Sequence, residues 1–331
     1  RNQLNGEYIF KDLNDVIRDL RVKAYMQQIS RDVENHVNAK TSIYPSSNNV
    51  TTGAKATADL YFNDYQTMTV GIESWRRVTR TTRLKIAAPV ADTILIGEQP
   101  TPDAEMFDAG VFGHYQLKID PKYWVLHLGA RADYVGVHNE DALKEVFKYK
   151  IKNGVKTEMA ADTKKLFEEG NHADLTYALH ADLNYMPAKN HQIILSLANA
   201  YRVASLEERF KYIDQSGKLM VGNPALKPEN GWFSNLTYHY GNGRLNFSVD
   251  LFANYLQNMI SEKQGTFTYG DGTTTTAWIN TNINQAWYAG AELDFSCLIT
   301  EKLKFGTVAS YVQAKDMESN EILPLIPPMH G

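Results

Sequence analysis

The densest chemistry in this sequence is basic. Glu73–Arg83 reads "ESWRRVTRTTR", with Arg76, Arg77, Arg80 and Arg83 following a single tryptophan. In an extended chain Trp75, Arg77 and Thr79 share one face, and Ser74, Arg76 and Val78 share the other. Trp75, Arg76 and Arg77 are therefore candidate contacts for an anionic ligand such as a metal chelate. The plain alternative is that the arginines pair with Asp and Glu or bind lipid phosphates. The nine histidines show no HExxH and no i, i+4 pair in a helical pattern, so no resident metal site is assigned. His114 and His172 stand near long polar segments and are candidates for a haem or metal contact. His127, His180 and His239 lie in extended stretches, where hydrogen bonding is expected. Met106, Met220, Met317 and Met329 carry thioethers that suit soft metals, but their scatter reads as packing. Glu292 and Asp294 share a strand face as a glycosidase pair would, yet charge facing water explains them as well. "TYGDGTTTT" (268–276) lacks the lysine of a phosphate loop. No catalytic residue and no cofactor is assigned.

These side chains need elements to position them, and composition narrows the choice. The 331 residues are 43% hydrophobic and 22% charged, a folded composition. Net charge is -4, and no basic stripe interleaves with aromatics, so no nucleic-acid partner is expected. The lone Cys297 excludes a disulfide framework. Mean hydropathy is -0.40, and no run reaches the roughly 18 apolar residues of a spanning helix. That says little about barrels, whose apolar residues occupy alternate positions.

Alternation is what the chain has in abundance. Leu175, Tyr177, Leu179, Ala181, Leu183 and Tyr185 fall opposite Thr176, His180, Asp182 and Asn184. Trp124, Leu126, Leu128 and Tyr134 alternate with His127, Arg131 and Asp133; Phe247, Val249, Leu251 and Tyr255 alternate with Ser248, Asp250 and Asn254. Such segments are strands with one apolar and one polar face. They run about 10–14 residues, against about 5–6 for globular strands and about 9–11 for a tilted membrane-crossing strand. Aromatic rings bracket the apolar faces, as two membrane–water interfaces demand. Short turns at 62–65, 119–122, 186–190, 240–243 and 298–302 alternate with long polar segments near 32–52, 82–107, 137–172, 204–228 and 262–280. Eleven strands are predicted: 18–31, 53–62, 66–81, 107–118, 123–136, 173–186, 191–203, 230–240, 244–260, 281–298 and 303–314. The fold class is all-β, a transmembrane antiparallel up-and-down β-barrel. "FKDLNDVIRDLRV" near the start reads either as a turn entering a strand or as a short helix.

Two runs then carry a resemblance. "YRVASLEERF" contains Arg202, Ser205, Leu206, Glu208, Arg209 and Phe210, and "GNPALKPE" contains Gly222, Asn223, Pro224, Leu226, Lys227, Pro228 and Glu229. Together they resemble the barrel signature of TonB-dependent outer-membrane receptors, with Ala204 where proline is usual. "LFANYLQNMI", "NTNINQAWYAGAELDF" and "LPLIPPMHG" resemble later strands of that family.

The resemblance implies a 22-strand barrel in the bacterial outer membrane, about half of it present, with residues 1–331 as part of the C-terminal barrel domain. The plug domain and final strands are expected outside this sequence. It further implies uptake of a scarce nutrient, a ferric siderophore or other metal chelate first, without enzymatic chemistry. The implied partners are that ligand, the TonB complex acting through the plug, and outer-membrane lipid and lipopolysaccharide. A passive porin-like channel and a soluble all-β binding protein are the alternatives. Physically, the two prolines stiffen the second run and Gly222 permits a sharp turn. Glu229 is expected to face a polar lumen and pair with Arg202 or Arg209, in a packing element without ligand contact.

Overall fold

A computed structural model of the chain describes residues 1–88, 92–215, 217–317 and 319–322. The "LPLIPPMHG" run, Met329 included, lies outside the described residues. Twelve long strands follow one another: Asn2–Lys11, Ile17–Asp32, Thr41–Asn63, Gln66–Ala87, Ala104–Asp120, Trp124–Asn139, Gly170–Ala188, His191–Arg202, Glu229–Gly241, Leu245–Thr268, Thr274–Thr300 and Leu303–Asp316. Each pairs antiparallel with the next. The result is one up-and-down sheet whose first and last strands form its edges.

Eleven of these strands match the expected ones. The twelfth, Asn2–Lys11, was not expected. The segment after it is a turn into a strand: the Asn14 side chain accepts hydrogen bonds from the backbone of Val16 and Ile17 (2.9 and 2.7 Å). The strands also reach further than alternation predicts. Residues 262–280, expected as a loop, continue the Leu245–Thr268 and Thr274–Thr300 hairpin in unbroken register from Met259↔Ile283 to Thr268↔Thr274.

Register fixes what each face contains. Leu179 pairs with Ala130, Leu183 with Leu126 and Tyr185 with Trp124, so the apolar residues of neighbouring strands line up across the sheet. Leu175, Leu179, Leu197, Leu236 and Leu251 stay exposed on that face. The only other sheet among the described residues is a two-stranded one at Ala142–Leu143 and Lys165–Phe167, so no second layer covers the apolar side. Trp124 stacks on Tyr185 at 4.0 Å near the short turns, while Tyr134, Tyr177, Trp232 and Tyr255 recur on the same face further up. The 8–10 residues between these two rows span roughly 21–26 Å once strands rising about 3.4 Å per residue tilt by about 40°. That is the height of an apolar membrane band.

The long connections are folded. Leu206, Phe210, Tyr212, Val221, Leu166, Phe167 and Tyr269 pack on Met106, Val135 and Val137, on the polar side of the sheet beyond the upper aromatic row. This apolar knot is a cap over that end of the concave face.

Candidate functional site

The signature residues build the foundation of the cap. Ser205 caps the five-residue helix Leu206–Phe210: its side chain accepts from the Glu208 backbone, and Glu208 reaches back to the Ser205 backbone. Glu208 also meets Arg202 (2.8 Å), whose Nε donates to Glu229 at 2.6 Å. Glu229 shares a face with Phe233, Asn235 and Thr237, opposite Trp232 and Leu236, and its second oxygen accepts from the Ile260 backbone. Arg202, between two carboxylates, is held charged, with Glu229 the larger influence. Burial pushes the Glu208 carboxyl up, but hydrogen bonds from Arg202 and Ser205 outweigh it and hold the pKa below the usual range. Arg209 does not meet Glu229. It is buried, donating to the Pro224 carbonyl (2.7 Å) and to Asp174 (2.8 Å).

The second run wraps under this helix. Gly222 lies so close that a Cβ there would sit 2.5 Å from the Arg209 carbonyl carbon and the Phe210 nitrogen. Asn223 accepts from the Ala225 backbone, and Leu226 is buried. Beyond Pro224, the Lys227 backbone exchanges two 3.0 Å hydrogen bonds with the Asn282 side chain, which also donates to the Asn258 carbonyl. Asn258 in turn reaches the Pro228 carbonyl (3.4 Å), and Asn280 donates to the Glu208 carbonyl at 2.8 Å. Asn280 and Asn282 were not singled out from the sequence, although they lie in the quoted "NTNINQAWYAGAELDF". The signature is thus a backbone knot.

Between this knot and the strands Thr41–Asn63 and Gln66–Ala87 opens a cleft of ≈ 1100 Å³. Trp75, Arg77, Arg83 and Lys85 line one wall, and Glu207 and Asp214 line the other. Arg77 lies 5.5 Å from the centre of the Trp75 ring and donates to Thr51 (3.2 Å). Of the four arginines in the basic run it alone, among the described residues, has no carboxylate partner. Arg76 pairs with Glu105, Arg80 with Asp103 and Arg83 with Glu98. Arg76 sits on the apolar-side face, away from the cleft. Below Trp75 on the lumen side, Arg131 binds Asp133 (2.6 Å) and Glu73 (3.2 Å), and the Tyr201 hydroxyl donates to Asp133 at 2.5 Å.

The two candidate histidines part company. His172 lies beside Phe210 in the cap, ring centres 6.4 Å apart, and burial then Arg209 lower its pKa. His114 is not next to a long connection. It stands ten residues from Ala104 and six from Asp120, nearer the short turns. There it stacks on His127 (5.5 Å) and His180 (5.4 Å). His127 and His180, expected to hydrogen-bond, make no hydrogen bond to other described residues. The alternation of strands had shown the face of each imidazole; only register shows that they meet. Among the described residues no three His, Cys, Asp or Glu side chains already converge to hold a metal.

A family model described as "TonB dependent receptor-like, beta-barrel" matches residues 1–329. Similar solved structures include the copper transporter OprC (TM-score 0.75, 17% identity, covering 99% of this chain and 50% of that one). The ferric yersiniabactin uptake receptor FyuA from Yersinia pestis has TM-score 0.61 and 11% identity, covering 99% and 45%. The FrpB iron transporter from Neisseria meningitidis, F5-1 variant, has TM-score 0.61 and 13% identity, covering 97% and 45%. No curated protein matches the chain. The chain spans half or less of the length of these structures.

Proposed function

Because the chain belongs to the TonB dependent receptor-like β-barrel family, we propose that it supplies part of the barrel of a bacterial outer-membrane receptor. The receptor takes up a scarce nutrient by TonB-dependent rearrangement of a plug, and its cargo is a ferric siderophore or another metal chelate. The family is one of receptors and not of enzymes. The observation that carries the reading is the uncovered apolar face, bounded by aromatic rows and backed by a charged concave face with a cleft at its capped end. A lipid environment stabilises such a face. The similar structures are named for transport of copper, ferric yersiniabactin and iron, which favours a metal as the cargo.

In this reading the cleft is the docking place. Arg77, free of ion pairs, offers its guanidinium to an anionic group of the chelate, and Trp75 offers an indole face. Arg76 takes the other role weighed for it, beside lipid or lipopolysaccharide at the outer rim. The test is accumulation of radiolabelled ferric chelates, supplied singly, by a receptor-deleted strain carrying the full-length protein. Uptake of one chelate that disappears when TonB is removed is the expected result. Entry of chelates at rates independent of TonB would instead establish a passive channel.

A further inference from the structure

We propose that His114, His127 and His180 form a binding site for a divalent transition-metal ion on the concave wall of the sheet, apart from the capped cleft. The register brings them together. His114 and His180 both lie directly opposite Gly129, one on each neighbouring strand, and His127 is two residues from Gly129 on the same face. With no side chain at position 129, the His180 imidazole leans into the notch, and its ring centre comes to 5.4 Å from that of His114. A Cβ there would lie 1.9 Å from Cε1 of His180. A glycine inside a strand weakens it, and often marks a place where another group approaches closely.

The rings' nitrogens are unclaimed. None of the three imidazoles hydrogen-bonds to another described residue, whereas His36, His138 and His191 each do. Asp182 pairs directly with His127 across the strands, so a carboxylate is at hand. Neutral imidazole with one carboxylate is the donor set of zinc, copper(II) and nickel rather than of calcium or magnesium. The ring centres are 5.4 and 5.5 Å apart and the planes differ by 24°, so the nitrogens do not now converge. The spacing nevertheless suits them. Ring nitrogens lie about 1.1 Å from the ring centre, so turning them inward brings two within roughly 3.3 Å, the separation across a tetrahedral zinc with bonds of about 2.0–2.1 Å. The proposed change is rotation of the side chains about the notch at Gly129, which the His180 ring now occupies.

The test uses the full-length protein, purified in detergent and freed of metal by a chelator. Titration with zinc chloride followed by calorimetry is expected to show a stoichiometric site. His114→Ala, His127→Ala and His180→Ala should each weaken it at least about tenfold, while His239→Ala leaves it unchanged. Gly129→Val keeps every histidine but fills the notch, and should weaken binding as well. Retention of the heat-resistant folded form checks each variant. Copper(II) bound to unmutated protein supplies a readout independent of folding effects, since nitrogen hyperfine splitting from at least two imidazoles is expected in its electron paramagnetic resonance spectrum. Absence of stoichiometric zinc binding, absence of that splitting, or affinity unchanged in all three alanine variants would overturn the proposal.

Discussion

Replacing Gly222 by alanine puts a methyl group 2.5 Å from the backbone of Arg209 and Phe210. Neither neighbour is the free end of a side chain, so the knot must shift, at a cost of about 1–3 kcal/mol. Lowered protease resistance of residues 204–228, with the rest of the sheet intact, is the expected outcome. The Arg202 latch adds a pH dependence. Glu208 has a folded pKa below its unfolded value. Its stabilisation is complete above the unfolded value, about 4.5, and fades as pH falls through the folded one. Glu262, held low by Lys211 and then Lys218, acts in the same direction. Protection against hydrogen exchange in residues 204–228, corrected for the intrinsic pH dependence of amide exchange, should therefore fall below about pH 4.5 before the strands open. Glu208→Gln should make exchange faster at neutral pH and flatten that dependence. In the cleft, Arg77→Ala should reduce uptake of an anionic chelate about tenfold or more, and Arg76→Ala should leave it unchanged.

At the scale of elements, Asn282 ties the descent of one connection to a strand that lies 55 residues further on in the chain. Asn282→Ala leaves the Lys227 amide without its partner and should loosen the same segment as Gly222→Ala, by about 1–3 kcal/mol; hydrogen exchange at Lys227 is the readout. The strands were legible wherever one face meets an apolar medium, because there each second residue is constrained. Above the aromatic rows both faces meet water or cap, and the constraint vanishes. The hairpin above Met259↔Ile283 consequently read as loop, although its pairing continues. Asn2–Lys11 was missed for a related reason: Gly6 interrupts its apolar face and Ile9 sits on the other one. The cleft was half legible. Alternation separated Arg77 from Arg76, but Glu207 and Asp214 reach the opposite wall only through the folding of the cap. The histidine stack needed interstrand register, which no local pattern supplies.

At the scale of the whole molecule, a two-faced sheet is expected to meet hydrocarbon on one side and water on the other. Leu179→Arg, near the middle of the apolar band, should cost about 2–4 kcal/mol of folding stability in lipid, whereas Ala178→Arg on the concave face should be tolerated. The most direct measurement places single spin labels at residues 175–183 of the full-length protein in lipid, with Cys297 changed to serine. Collision rates with oxygen and with a water-soluble nickel complex are then compared at each position. A two-residue period is expected: oxygen dominates at 175, 177, 179, 181 and 183, and the nickel complex at 178, 180 and 182, with buried Thr176 reached by neither. Equal access of both reagents along the strand, or shielding of the odd positions from both, would contradict it.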